Sequence, residues 1–222
     1  MTRRHGLLAA LTVMTGLASV PANAVVTSAF TANAEGWDVI TALFPLSPLL
    51  STHVPVHNPA GGNPGGYISI LDPNENDTFF RAPGAYLGNM SAYHGGTLEY
   101  SLLINAPAID YDYFDVVLQS GSTILGFAAP LPPAGWATHT VTLDAVPGWV
   151  NLDTNLAPTA GEFQAVLANL TGLFILAEYT FGLIEDVGLD SVAMSEVPEP
   201  ATALVLLSAM GIGGLLRTSR RR

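Results

Sequence analysis

Three aspartates in the segment IDYDYFD offer the paired carboxylates that glycoside hydrolysis requires: Asp110, Asp112 and Asp115. A glycosidase uses one carboxyl group as an acid and a second as a nucleophile or base. Their alternate spacing indicates an extended segment, and no lysine or arginine lies near it in the sequence. We therefore interpret the segment as a solvated acidic loop. A carbohydrate-active enzyme acting on extracellular polysaccharide remains the alternative function, with no catalytic residue assigned.

A second set of oxygen donors lies in the segment DPNEND. Asp72, Asn74 and Asn76 stand at alternate positions, as at the start of an EF-hand calcium loop. Asp77 then occupies the position where that loop requires glycine, and Pro83 the position of its closing glutamate. The segment is therefore not predicted to form an EF-hand.

The sequence gives no support for a nucleophilic catalytic site or for a thiolate site. The chain has no cysteine, which rules out disulfides and thiolate metal sites, and no Gly-x-Ser-x-Gly segment. His53 and His57 are four residues apart, but Pro55 lies between them and the segment reads as extended. Four extended residues span about 13 Å, too far for two ligands of one ion. We expect solvent-exposed histidines.

Charge is distributed unevenly along the chain. All seven cationic residues are arginines, and only Arg81 lies between residues 25 and 196. That span also holds 17 of the 18 acidic residues, for a formal charge of −16. A domain with this negative charge repels nucleic acid and anionic lipid, and it attracts divalent cations or basic surfaces. We predict no nucleic-acid partner.

Many short strands must position these groups. Runs of β-branched and aromatic residues such as GYISIL, GTLEYSLLI and THTVTL alternate with turn segments such as NPAGGNPGG and PLPPAG. This regular spacing predicts an all-β sandwich or barrel.

One segment has helical periodicity. In TAGEFQAVLANLTG, the apolar residues Phe163, Val166, Leu167 and Leu170 follow the spacing of an amphipathic helix. Thr159 and Glu162 have the spacing of a capping box, and Gly172 stands where the helix would stop.

The first 24 residues read as a secretory signal peptide. Arg3 and Arg4 precede an apolar run of 15 residues, and Ala22 and Ala24 form a small-x-small cleavage pattern. Export is expected, by either the general or the twin-arginine route, and the sandwich domain is predicted to span residues 25–196.

An ordered set of segments resembles the laminin B (laminin type IV) domain. The set runs from about Phe30 to Met194 and comprises GGNPGGYISILD, APGAYLGNMSAYHGGTLEYSL, DVVLQSG, GWATHTVTL, FQAVLANLTGLFILAEY and GLDSVAM. The resemblance implies a jelly-roll-like antiparallel β-sandwich related to carbohydrate-binding modules, extracellular and not itself an enzyme.

The same resemblance implies a structural Ca²⁺ between the first and last strands, as in related jelly rolls. Glu35 or Asp38 in EGWDV would then meet Asp190 in GLDSV at the ion. The alternative, that these acids are surface residues without a metal, stays open.

The last 26 residues are similar to a PEP-CTERM sorting signal. Val197, Pro198, Glu199 and Pro200 precede 16 uncharged residues and a terminal cluster of arginines. A helix of 16 residues spans about 24 Å, less than a bilayer core of about 30 Å, which favours a transient stop in the inner membrane. The resemblance implies processing of residues 197–222 by an exosortase, a membrane enzyme.

Aromatic side chains could stack on sugar rings. The candidates are Trp37, Trp136, Trp149, Tyr86, Tyr93, Tyr111 and Tyr113. Each tryptophan adjoins the start of a strand, which favours a core position for all three. Tyr111 and Tyr113 are expected to be the exposed pair.

Together these observations predict an exported, non-catalytic binding or structural module. It would interact with exopolysaccharide or other surface components, at the cell surface or in the extracellular matrix.

Overall fold

Two antiparallel sheets pack face to face. The structure is a computed structural model that describes residues 24–43, 45–74, 76–106, 109, 113–180 and 185–197. Every strand pair within these ranges is antiparallel. The prediction of an all-β antiparallel sandwich with one short helix is confirmed.

The first sheet has six strands. Five follow one another in the order β10 (Gly135–Thr142), β7 (Thr97–Asn105), β13 (Asp186–Ser195), β5 (Gly65–Leu71) and β4 (Val56–Gly62). A further strand, β1 (Val25–Ser28), pairs with the later part of β13.

The second sheet has seven strands. Their order is β11 (Trp149–Asn151), β9 (Thr123–Phe127), β8 (Val116–Ser120), β12 (Gly172–Leu176), β6 (Asp77–Arg81), β2 (Asp38–Ala42) and β3 (Leu49–His53).

Alternation along the strands separates the core from the outer faces. On β5, Ile68 and Ile70 are buried in the core, so Tyr67 and Ser69 point to the opposite face of the sheet. Two of the three tryptophans are core residues as expected. Trp37 packs edge-on against Tyr86, and Trp149 against Phe163, with ring centroids 5.4 and 5.0 Å apart.

The sequence does not single out β4 as a strand. Its first residues, Val56 and His57, belong to a segment that reads as extended, but Pro59 and two glycines then give the signal of a turn. It forms the edge of the six-stranded sheet, where a missing N–H costs little. His53 and His57 therefore lie on strands of different sheets.

The helix α1 (Ala160–Ala168) begins as the sequence predicts. The side chain of Thr159 accepts a hydrogen bond from the N–H of Glu162, and Glu162 Oε2 accepts one in return from the N–H of Thr159. The predicted stop at Gly172 is wrong. The helix ends at Ala168, and Gly172 is already the first residue of β12.

The predicted signal peptide and sorting signal lie almost entirely outside the described residues. Ala22, Pro198, Glu199 and Pro200 are not described, whereas Ala24 and Val197 are exposed. In the described part of the chain, no helix has the length and apolar character needed to cross a membrane.

Candidate functional site

Two aromatic rings meet on the outer face of the six-stranded sheet. Tyr67 of β5 and Trp136 of β10 are both partly exposed, with ring centroids 5.3 Å apart and ring planes at 90°. Strands β7 and β13 separate the two backbones by about 14 Å, so the rings lean towards each other across them. We call this surface the aromatic face.

A glycine makes room for the tyrosine ring. A Cβ atom on Gly188 of β13 would lie 3.0 Å from Tyr67 Cδ2 and 3.1 Å from Leu103 Cβ. Both distances are tighter than ordinary van der Waals contact. Gly188 therefore allows the Tyr67 ring to lie close over the sheet.

The β4–β5 hairpin fixes the tryptophan. Trp136 Nε1 donates a 3.0 Å hydrogen bond to the carbonyl oxygen of Gly61, which is in the left-handed region with φ +94°. A single conformation of the indole is favoured, because its polar atom has a partner fixed on the backbone.

Short polar side chains surround the ring pair. Asn63 Nδ2 lies 3.4 Å from Ser101 Oγ and 3.5 Å from Thr138 Oγ1, at the limit of a hydrogen bond, and the two hydroxyls are 3.0 Å apart. On the same face, Asn58 Nδ2 donates to Ser69 Oγ at 3.0 Å. The aromatic face thus combines apolar ring surface with hydroxyl and amide groups.

Asp190 positions the hairpin that carries Asn63. This aspartate has no exposed surface, and its Oδ2 accepts a 2.5 Å hydrogen bond from the N–H of Asn63. Its Oδ1 accepts one from the N–H of Ser191 at 2.6 Å, while the Ser191 hydroxyl donates to the carbonyl of Asn63 at 2.9 Å. Burial raises the pKa of Asp190, and the amide hydrogen bonds oppose that shift.

The three predicted metal ligands are placed as follows. The charge of Glu35 acts on Asp190, so these two acids lie within electrostatic range. Asp38 lies on the seven-stranded sheet, where Arg81 Nε and Nη2 donate to its two carboxylate oxygens at 2.8 and 2.5 Å. No set of three or more His, Asp or Glu side chains in the described ranges could hold a metal ion. Calcium binding by Glu35, Asp38 and Asp190 stays a prediction.

Asp115 corrects the prediction of a solvated acidic loop. Asp110, Asp112 and Tyr111 lie outside the described residues, but Asp115 is buried. Its Oδ2 accepts a hydrogen bond from the N–H of Ala129 at 2.6 Å, and its Oδ1 accepts one from the Tyr179 hydroxyl at 3.2 Å. These two donors replace the water that an exposed carboxylate would bind.

The histidine side chains are held by hydrogen bonds to neighbouring groups. His53 and His57 are half-buried rather than fully exposed. His53 forms a hydrogen bond with Ser51 Oγ and His57 one with the carbonyl of Phe30, each at 2.7 Å.

An open pocket of about 560 Å³ beside α1 is lined in part by Ser91 and His94. His94 Nε2 lies 3.1 Å from Asp144 Oδ1, yet the Ser91 hydroxyl donates to Asn89 Oδ1 instead of the histidine. These contacts do not form a catalytic triad.

Carboxylates also gather at the end of the sandwich where β5 ends and β13 begins. Glu178 and Glu185 are 4% and 1% exposed, and Asp72 is 9% exposed. Burial and the charges of Asp72, Asp77 and Glu185 raise the pKa of Glu178 to about 8. Burial likewise raises the pKa of Glu185. We call Asp72, Glu178 and Glu185 the acidic end.

The fold defines a β-sandwich module with a pair of partly exposed aromatic rings on the outer face of one sheet. The sequence profile of the family described as Laminin B (Domain IV) matches residues 79–204, more than half of the chain. The chain therefore belongs to the laminin B family. Domains of this family are typically non-catalytic, and laminin-like domains are extracellular.

Two curated relatives are laminin subunits. Laminin subunit gamma-2 of Homo sapiens is 31% identical over 143 residues, which is 59% of this chain and 11% of the relative. Laminin subunit alpha-1 of Mus musculus is 30% identical over 123 residues, which is 52% of this chain and 4% of the relative. The chain thus matches only a small part of these long proteins.

A solved laminin domain shares the fold. The L4b domain of human laminin alpha-2 has a TM-score of 0.63 at 15% identity, over 79% of this chain and 98% of that domain. A family 11 carbohydrate-binding module of a cellulosomal cellulase from Clostridium thermocellum has a TM-score of 0.44 at 11% identity, over 86% of this chain and 96% of the module.

Sequence reasoning missed most of the aromatic face. It placed Trp136 in the core with the other tryptophans, which is wrong, because Trp136 lies on the outer face of β10. It did not single out Tyr67 or Asn63. The alternation of GYISIL was a usable signal, because it puts Tyr67 opposite the buried Ile68 and Ile70.

Proposed function

We propose that this chain is an exported, non-catalytic binding module whose aromatic face binds extracellular polysaccharide. The observation that carries the proposal is the partly exposed pair of Tyr67 and Trp136. Partly exposed aromatic rings with polar groups beside them are typical of ligand sites.

The chemistry of the face suits a sugar chain. A pyranose ring presents a flat patch of C–H groups, which packs on an aromatic ring, and its hydroxyl groups need hydrogen-bonding partners at the edges. Asn63, Thr138 and Asn58 offer such donors and acceptors beside the rings. Trp136 is already held by Gly61, so binding would cost little side-chain entropy.

The charge of the domain favours a neutral glycan. Residues 25–196 carry a formal charge of −16 with Arg81 as the single lysine or arginine, and Arg81 is paired with Asp38. An anionic polysaccharide would be repelled at low ionic strength. We therefore expect binding to uncharged chains to exceed binding to uronate or sulfate polymers.

A glycosidase is the less favoured alternative. Acid–base chemistry on a sugar needs two carboxyl groups that can reach the scissile bond from either side. Glu99 and Asp186 are accessible acids on the same outer face, but they lie level with opposite ends of β7, about 20 Å apart, which is too far for such a pair. The carboxylate of Asp190 is buried and bonded through both oxygens to backbone amides. It supports the hairpin and is not free to transfer a proton to substrate.

Binding of the purified protein to an array of neutral and anionic glycans tests the proposal. Trp136→Ala and Tyr67→Ala are each expected to weaken binding to a recognised glycan by about tenfold or more, as for a central aromatic contact. Tyr113→Ala is the matched control, because Tyr113 is also partly exposed but precedes β8 of the other sheet. Equal effects of all three variants, or release of cleaved sugar, would contradict the proposal.

Location completes the proposal. Residues 1–24 would direct export, and residues 197–222 would hold the chain transiently in the inner membrane until an exosortase-type enzyme processes it. The module would then reach the cell surface or the exopolysaccharide matrix. The Pro-Glu-Pro segment, the apolar run and the arginines of the tail support this route.

A further inference from the structure

Strand β3 lies at the end of the seven-stranded sheet, and among the described strands it pairs with β2 alone. Its outer edge therefore presents backbone N–H and C=O groups that no strand of the described chain pairs with. Side-chain contacts fix β3 to β2, because Ser51 Oγ lies 2.6 Å from Thr41 Oγ1 and 2.7 Å from His53 Nε2. The strand is thus already held in the conformation that pairing with a further strand needs.

The edge strand of the other sheet, β4, is protected against such pairing, whereas β3 is not. Pro59 in β4 has no N–H to offer a further strand, and the register of β4 with β5 shifts between Asn58 and Gly62. The sequence of β3, LLSTH, contains no proline, lysine or acidic residue. Natural proteins place such residues on free edges to prevent pairing with another chain. The edge of β3 therefore lacks the usual protection.

Exposed apolar side chains lie at both ends of β3. Leu49 and Leu50 begin the strand, with Leu43 beside them at the end of β2, and all three are exposed. Val54 and Val56 follow the end of the strand, and Val54 is 85% exposed. These five make up half of the large apolar side chains that are exposed in the described ranges. We call β3 together with these five side chains the β3 edge.

The strands on this side of the domain carry no unbalanced acidic charge. Residues 39–71, which include β3, β4 and β5, contain no aspartate, glutamate, lysine or arginine, although residues 25–196 have a formal charge of −16. Strand β2 contributes one acid, Asp38, and this acid is paired with Arg81. Two copies of so acidic a domain repel each other over most of their surface. The β3 edge is a place where they can meet without setting one acid against another.

We propose that the β3 edge is a self-association surface, at which a second copy of this chain pairs through its own β3. Antiparallel pairing of identical strands follows a two-fold axis, so the same apolar, uncharged surface meets itself. The free backbone groups of the two edges bond to each other, and the two seven-stranded sheets become continuous. The aromatic face lies on the other sheet, so this inference does not depend on glycan binding. One short strand gives a small interface, for which we expect a dissociation constant of about 1–100 μM.

Sedimentation velocity of the purified protein across this concentration range tests the proposal. The unmodified protein is expected to change from monomer to dimer. Leu50→Lys sets two like charges against each other in the dimer and should raise the dissociation constant by about tenfold or more. Leu156→Lys is the matched control, because Leu156 is an exposed leucine that follows β11, and it should leave association unchanged. A monomer at every concentration, or a dimer that Leu50→Lys weakens no more than Leu156→Lys does, would overturn the proposal.

Cysteine cross-linking covers the case in which Leu50→Lys unfolds. The chain has no cysteine, so Thr52→Cys introduces a single thiol at an exposed position of β3. A short bismaleimide is expected to join two copies of Thr52→Cys but not two copies of Leu156→Cys, and an excess of unmodified protein should suppress the cross-link. Equal cross-linking of the two variants, or none in either, would show that β3 does not pair with a second copy.

Discussion

The backbone N–H of Asn63 donates a 2.5 Å hydrogen bond to the buried carboxylate of Asp190, although 127 residues separate the two in the sequence. This bond ties the β4–β5 hairpin to β13 in the centre of the sheet. The hairpin in turn holds Trp136 through Gly61. Asp190 therefore acts on the aromatic face without being part of its surface.

Asp190→Ala should destabilise the protein and weaken glycan binding together. The change leaves the N–H groups of Asn63 and Ser191 without their acceptor, which costs about 1–3 kcal/mol for a buried donor. Denaturant unfolding measures the loss. Asp153→Ala, at an exposed acid, should stay within about 0.5 kcal/mol of the unmodified protein. If Asp190→Ala unfolds at the same denaturant concentration as that control, the bond contributes nothing to the fold.

Gly188→Val should reduce glycan affinity more than stability. A side chain at this position would displace the Tyr67 ring from its place over β13. That movement disturbs the contact with Trp136 but leaves the core side of the sheet untouched. Gly84→Ala is the control, because a Cβ there meets no atom within 4 Å and Gly84 has no positive φ. Unchanged affinity in Gly188→Val would show that the position of the tyrosine ring is unimportant.

Substitutions in the capping box of α1 should reduce the free energy of unfolding less than a substitution on its core face. Thr159→Ala and Glu162→Ala are each expected to cost about 0.5–2 kcal/mol, because each removes one half of the reciprocal pair. Leu167→Ala should cost about 2–5 kcal/mol, because Leu167 is fully buried. Urea unfolding of the three variants measures these values. Equal small effects at all three positions would mean that α1 is not packed on the sandwich.

His139 should make the protein less stable in mild acid. Burial against Tyr100 lowers the pKa of His139 below its ordinary value of 6.5. Since the unfolded chain then binds a proton more readily than the folded one, stability decreases as pH falls through 6.5 towards the folded pKa. His139→Phe should remove this part of the pH dependence of Tm, whereas His53→Phe should retain it. An identical pH profile in the two variants would contradict the assignment.

The chain ends should be processed in the native host. Mass spectrometry of the mature protein is expected to give an N-terminus at or near Val25 and no residues beyond the Pro-Glu-Pro segment. Replacing Pro198, Glu199 and Pro200 by alanine should leave unprocessed protein in the inner membrane. Mature surface protein that still ends in Arg222 would rule out sorting by this tail.

Local patterns in the sequence determined much of the fold. Alternation identified strands such as β5, β7 and β10, and the spacing of Thr159 and Glu162 identified the start of α1, because these signals depend on neighbours within one turn or one pleat. The edge strand β4 escaped this reasoning. Its proline and glycines are tolerated because of its place in the sheet, which is not a local property.

Tertiary structure alone decided the sites. The pairing of Tyr67 with Trp136, of Asp38 with Arg81 and of Asp190 with Asn63 depends on the order and register of strands that are distant in sequence. The burial of Glu185 depends on the same packing. Composition showed that residues 25–196 contain many acids and one arginine. A charge count does not tell which acid pairs with that arginine or which acids are buried. Those outcomes follow from non-local contacts, which form only when the two sheets come together.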